Sequence, residues 1–385
     1  MKRRTLLQLP ALAGLGWALP AMSMVNPEKV LVLLHLKGAN DGLNTLVPFE
    51  SDHYRKLRPN IALTASDVFK VGDSEVGSLG LNQHMRALEN SIDQDLAIIP
   101  GVGYPNQNRS HFKSIKLWAT GSDGNRANRS GWLIDSVERQ FDGSSIDLHG
   151  ASFDGALEVF KSGEGQYLSM ARLNQLKGLE VQADMQSGNA LLGLVQNRTK
   201  TLAATSKALE SKLRSARSLP VRMPYGELSA QLTEVLRVIS SDARVPVMHV
   251  QLDGFDTHEG QTWRHPRLME QLAEGLAGFR DNLKRMGLWE QTLVMTYAEF
   301  GRRAAENGSQ GTDHGTANTH FVMGGSVNGG LYGDHPRLDK LEDGDMIHSM
   351  DYRAIYDRIT TQWWSDTQRP WAAFEDPRLR SMLKA

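Results

Sequence analysis

The acidic and imidazole side chains that follow two apolar runs are the part of this chain best suited to chemistry. Asp256, Thr257 and His258 come directly after PVMHVQLD, residues 246–253. Glu299 sits near the end of TLVMTYAEF, residues 292–300, and a glycine-rich loop then delivers Asp313, His314 and Gly315. Carboxylate oxygens and imidazole nitrogens are the donors that hold a divalent cation such as Zn, Mn or Ca. Asp256, His258, Glu299, Asp313 and His314 are therefore candidate metal ligands. Asp313 either binds the ion or orients His314 from behind. A carboxylate at the end of an apolar strand must meet water, a cation or donors. Arg302 offers Glu299 a plain ion pair, or it clamps anionic substrate oxygens.

Further candidates lie earlier in the chain. Asp41 follows the run KVLVLLHL within Gly38-Ala39-Asn40-Asp41-Gly42. It is a hard oxygen ligand or an ordinary turn residue. Ser110 opens a predicted helix over 110–119. A hydroxyl there is either a helix cap or a nucleophile beside the metal. His111 would activate it or bind substrate, and Arg109 would hold anionic oxygens. No Gly-x-Ser-x-Gly turn surrounds Ser110.

The elements that must position these groups alternate. KVLVLLHL (29–36), DLAIIP (95–100), PVMHVQLD, TLVMTYAEF and HFVMGG (320–325) read as buried strands. Between the later ones runs a predicted helix over 267–286, with Leu268, Leu272, Leu276, Phe279 and Leu283 on one face and Gly287 at its end. The spacing also places Phe112, Ile115 and Trp118 or Ala119 on one face of the 110–119 helix. This rhythm predicts an α/β fold with a mostly parallel central sheet flanked by helices. Ligands of such sheets bind beyond the C-terminal strand ends, where the candidate side chains fall. Residues 142–220 show helical stretches without a strong strand run, and read as a helical insertion or cap. The expected divisions are an export signal over 1–23, a first α/β part over 28–141, the insertion over 142–220 and a second α/β part over 221–375.

Composition narrows the function classes. The chain has 385 residues, a formal net charge of -1 and no cysteine. Disulfides, thiolate ligands and cysteine nucleophiles are excluded. Near-neutral charge supplies no field for nucleic acid, so none is expected as a partner. Lys2, Arg3 and Arg4 precede the apolar run LLQLPALAGLGWALPAM, the pattern of a secretory leader. The adjacent arginines resemble a twin-arginine signal. The expected location is periplasmic or otherwise exported, by the twin-arginine machinery, with no membrane span in the mature chain.

LKGANDGLNTLVPF, NRSHFKSIKLWATG, GFDTHEGQ, AEFGRR…NGSQGTDHGTA and VMGGSVNGGLYGDHP together resemble the exported bacterial family called domain of unknown function 1501. The resemblance spans roughly residues 28–365. That family is similar to a remote branch of the alkaline phosphatase and sulfatase superfamily. The resemblance implies an alkaline-phosphatase-like core and a metal-supported hydrolytic pocket for a small or polymer-linked phosphate or related anionic ester. It implies Asp41 as the early ligand, Ser110 as nucleophile, Asp256 and His258 as a later ligand pair, and His314 as the final histidine. Ser110 or a metal-bound water would attack. Two departures stand out: Glu299-Phe300 replaces an acidic-histidine pair, and the cysteine-containing sulfatase maturation signal is absent. A non-catalytic metal- or ligand-binding protein on the same scaffold is the alternative.

Overall fold

Strand β1, Val30–Lys37, sends alternate side chains into two separate cores. Val32, Leu34 and Leu36 face one, while Leu31 and Leu33 face the other. That is why its sequence is almost continuously apolar: the strand lies at the centre of a sheet covered on both sides. Leu34 is wholly buried, and truncating it to alanine would cost about 2–5 kcal/mol. The computed structural model describes residues 29–124, 130–141, 146–161, 163–176 and 190–384. The expected export signal, 1–23, lies outside them.

After β1 come α1 (Gly42–Thr45), β2 (Leu46–Val47) and α2 (Asp52–Leu57), then β3 (Val68–Ser74), β4 (Gly77–Asn82) and β5 (Leu96–Gly103). Helices α3 (His111–Thr120) and α4 (Ile134–Gln140) follow, then short strands β6 (Gly150–Ser152) and β7 (Tyr167–Ser169). Helices α5 (Ala190–Leu213) and α6 (Glu227–Ile239) lead into β8 (Val247–Asp253), α7 (Gln261–Met286), β9 (Thr292–Tyr297) and β10 (Asn318–Gly324). Then come β11 (Gly330–Leu331), β12 (Leu341–Glu342), β13 (Asp345–Met346), β14 (Met350–Asp351) and α8 (Tyr352–Arg358), followed by short helical turns at Ile359–Trp363, Ala372–Phe374 and Pro377–Leu379.

The main sheet runs in the order β11-β5-β10-β9-β1-β8-β6-β7, with β14 also paired to β5. β10 is antiparallel to both neighbours, β5 and β9, and every other pairing in this sheet is parallel. The fold is thus mixed α/β with a mostly parallel central sheet. β2, β3 and β4 form a separate small sheet. Helices α6 and α7 cover one face through Leu232, Leu236, Leu272, Leu276, Phe279 and Leu283. The other face is aromatic: Trp118 stacks on Tyr352 and Trp132 on Tyr356, with ring centroids 4.3 and 3.6 Å apart.

Two sequence expectations need correcting. Residues 142–220 are not wholly helical, because β6 and β7 extend the main sheet beyond β8. Three-residue strands carry too little period-2 pattern to be read. Phe112 does not share the buried face of α3: it is 85% exposed, whereas Trp118 and Ala119 are buried. It sits in the first turn of α3.

Candidate metal centre

The C-terminal ends of β1, β8 and β9 lie side by side, so their exit loops meet. The β1 loop supplies Gly38 and Ala39, the β8 loop Asp256 and His258, and the β9 loop Glu299 and Arg302. The loop before β10 folds back through an antiparallel bridge between Arg302 and His314. Glycine permits two of these approaches. Gly38 has φ +102°, and a Cβ there would lie 2.4 Å from the Asp256 backbone nitrogen. A Cβ on Gly315 would lie 2.4 Å from the Arg302 carbonyl carbon.

Three imidazoles and one carboxylate converge at this junction. His314 Nε2 is 3.0 Å from His258 Nε2 and 3.1 Å from His111 Nε2. Asp256 Oδ1 is 3.3 Å from His314 Nε2 and 3.2 Å from His258 Nε2, and Asp256 Oδ2 is 3.7 Å from His111 Nε2. Ligand atoms of His111, Asp256 and His314 all lie within 4.8 Å of one another, a spacing that one ion can span.

Each imidazole is held from behind by an acceptor. Glu299 Oε1 lies 3.3 Å from His111 Nδ1, Asp313 Oδ1 lies 3.1 Å from His258 Nδ1, and the Arg109 carbonyl lies 2.8 Å from His314 Nδ1. These partners assign the proton of each neutral ring to Nδ1. The Nε2 lone pair of His314 then faces those of His111 and His258, with the Asp256 carboxylate alongside and no proton between them. That arrangement is repulsive until a cation enters, so the donor set fits a divalent metal.

Electrostatics keeps the carboxylates charged. Burial pushes Asp256 up, but the Arg302 guanidinium 2.6 Å away outweighs it and holds the carboxyl below its ordinary value. Burial likewise opposes Glu299. His35, with Nε2 at 3.4 Å, and His111 pull it well below the usual range, and the Gly38 and Ala39 N–H groups also donate to it. Asp313 is lowered by hydrogen bonds from Asn307 and His258. His314 is pushed down, chiefly by burial, which favours the neutral ring that a metal requires.

The sequence-derived candidates thus divide. His111, Asp256 and His314 share one ion-sized space, and His258 lies against His314 and Asp256. Glu299 and Asp313 stand directly behind them. Asp41 does not join them: it is fully buried, and Arg58 takes both its oxygens, Nη1 at 2.6 Å and Nη2 at 3.0 Å. Gln261 also donates to it, and it caps α1 through Leu43 N. With every lone pair engaged it is a structural anion. Arg302 is equally committed, donating to the carbonyls of Ala39, Thr312, Phe255 and Gly38 as well as to Asp256. It is wholly buried and has no face left to clamp a substrate. Arg109 pairs with Asp345 and contributes its backbone carbonyl to His314. Ser110 occupies the N-cap position of α3, yet its exposed hydroxyl makes no capping bond.

One constellation escaped the sequence reading. Asp154 Oδ1 lies 3.0 Å from His249 Nδ1, and His249 Nε2 lies 2.6 Å from the Tyr297 hydroxyl. Tyr297 in turn stacks on His35. The signal was a histidine inside the buried run PVMHVQLD, where the burial of a polar ring calls for partners.

A larger cavity, about 620 Å³, opens at the opposite end of the sheet near Val30 and Arg217, and no imidazole lines it.

No curated protein matches the chain. Several solved structures are similar in fold. The zinc complex of the C-terminal periplasmic domain of EptC from Escherichia coli is 9% identical, with 78% of this chain and 74% of that one covered and a TM-score of 0.39. A protein in the alkaline phosphatase superfamily from Vibrio parahaemolyticus is 12% identical, with 80% and 62% covered and a TM-score of 0.31, so this chain spans less than two thirds of it. The FucS1 sulfatase from Pseudoalteromonas sp. is 10% identical, with 93% and 70% covered and a TM-score of 0.39. A family model described as "Protein of unknown function (DUF1501)" matches residues 124–369, more than half of the chain, and the chain belongs to that family.

Proposed function

We propose that this protein is an exported, metal-dependent hydrolase of phosphate esters or related anionic esters. One observation carries the reading: ligand atoms of His111, Asp256 and His314 lie within 4.8 Å of one another, with His258 Nε2 3.0 Å from His314 Nε2, while each Nδ1 already faces an acceptor. Asp256, His111, His258 and His314 would hold a divalent ion, with Zn, Mn and Ca as candidates. Such an ion, when bound, polarises an ester oxygen and neutralises charge that develops on it.

The chain's own residues do the rest. Glu299 and Asp313 fix the His111 and His258 rings. Arg302 anchors Asp256 from the buried side. Ser110, adjacent to His111 and free of a capping bond, offers its hydroxyl oxygen to the ester phosphorus or sulfur. If Ser110 only shapes the helix start, water supplies that oxygen. In either route the bond to the alcohol oxygen breaks and the alcohol leaves with a proton. In the Ser110 route water then releases the anion from the serine, so the net reaction consumes one water.

The experiment is metal analysis of protein purified without chelator, with a screen of phosphate and sulfate esters. Bound divalent ion near one per chain, and turnover lost in His314→Ala and Asp256→Ala, are expected. Protein that neither carries nor takes up a divalent ion would overturn the reading. Metal binding without turnover would favour a binding protein. The observation behind that alternative is that, among the described residues, no hydrogen bond joins the Ser110 hydroxyl to the imidazoles. Export rests on Lys2, Arg3, Arg4 and the apolar run after them. Replacing both arginines with lysine should leave the protein in the cytoplasm on fractionation.

A further inference from the structure

A cavity of about 270 Å³ opens beside the imidazole cluster, and His111 and Glu299 form the wall between them. Its two sides differ in chemistry. Phe112, Ile115, Ala119 and Val159 make one side apolar. Phe112 is otherwise hard to explain, since a phenyl ring 85% exposed in the first turn of α3 gains nothing from the core.

The rest of the lining is mostly polar and holds Asp154, Glu158 and Glu299, with Lys37 as the single lysine and the imidazoles of His35 and His249 beside them. Lys37 is already paired to Asp253 at 2.7 Å. Asp154 has a fully buried side chain. Its Oδ1 takes bonds from His249, Ser152 and the Ala156 N–H. Its Oδ2 is buried and has no hydrogen-bond partner. Burial pushes this carboxyl up, but His249 and Ser152 pull it further down, so it is an anion at neutral pH. A buried, charged oxygen without a donor on the wall of a cavity calls for one from the cavity's occupant.

We propose that this cavity receives the alcohol half of the ester, and that this alcohol carries an ammonium group on an apolar body. The ammonium donates to Asp154 Oδ2, and the body packs against Phe112, Ile115 and Val159. A neutral hydroxyl would satisfy the lone pair but bring no countercharge to the Asp154 oxygen that has no donor. This assignment rests on the reading above, in which the imidazole cluster takes the anionic group next door.

Binding of product alcohols tests it without requiring turnover. Titration calorimetry on the full chain, with and without added Zn, would compare 4-(aminomethyl)phenol, 4-(hydroxymethyl)phenol and 4-methylphenol. The amine should bind about tenfold more tightly than the methyl compound, the worth of one charge-assisted hydrogen bond. Asp154→Asn should erase that preference. Since Asp154 also positions His249, a second variant guards against misfolding: Ala156→Phe fills the cavity and should weaken all three phenols about tenfold. Equal binding of the three, no binding of any, or a preference that survives Asp154→Asn overturns the proposal. An ester screen without turnover sinks the hydrolase reading but leaves the binding result to be judged by itself. Turnover with no amine preference removes this assignment and leaves the hydrolase intact.

Discussion

Asp41 and Asp256 both follow parallel strands and both touch an arginine, yet their surroundings differ in one decisive respect. Around Asp41 the protein provides the whole countercharge: Arg58 covers both oxygens, and Gln261 and Leu43 N complete the shell. Around Asp256 the arginine covers Oδ1 alone, His258 and His314 turn Nε2 to that same oxygen, and Oδ2 has only His111 Nε2 nearby, at 3.7 Å. The first cluster is electrically closed and the second is open. A carboxylate at a strand exit is therefore not by itself a ligand; the sign of what surrounds it decides.

Four experiments would break or sharpen that contrast. Arg58→Met should have the largest effect, because it strands a buried carboxylate and should cost about 3–5 kcal/mol in urea unfolding. The folded fraction should still bind metal with unchanged stoichiometry; loss of metal there would erase the distinction. His314→Ala should do the reverse. Stability should move little, while metal affinity falls more than about 100-fold, above the range for residues that only orient a ligand, as read by competition with a chelator. Asp313→Ala removes the acceptor behind His258 and should weaken metal binding about 10- to 100-fold; an unaltered affinity would mean that His258 is not a ligand.

The smallest effect concerns acid. Burial raises Asp41, but Arg58 pulls it further down, so its folded value lies below the ordinary 3.8. The stability it contributes is complete above 3.8 and is lost as pH falls through the folded value. Asp41→Asn should flatten the decline in stability below pH 3.8 relative to the wild type. Parallel curves for the two proteins would show that the ion pair does not carry this dependence.

Much of this was legible in the amino-acid order. The runs that became β1, β8 and β9 are continuous and apolar because two cores flank them, and Asp256, His258, Glu299, Asp313 and His314 stood out at their exits. His111 was visible as a candidate, but not as a fourth member of the donor set, since α3 lies far from the β8 and β9 loops in sequence. Asp41 and Arg302 misled for one shared reason. Their partners, Arg58 in one case and the carbonyls of Gly38, Ala39, Phe255 and Thr312 in the other, are chosen by loop packing and leave no local pattern. The Asp154–His249–Tyr297 chain was lost because β6 is only three residues long, which hid where Asp154 would sit.

Arg302 has a consequence for ion choice. Its guanidinium ties three separate loops together through main-chain oxygens. The cradle is thus assembled by folding rather than by its cargo. A cradle held in this way would leave the proposed ion little room to reset the positions of its donors, so its radius would matter as well as its donor preference.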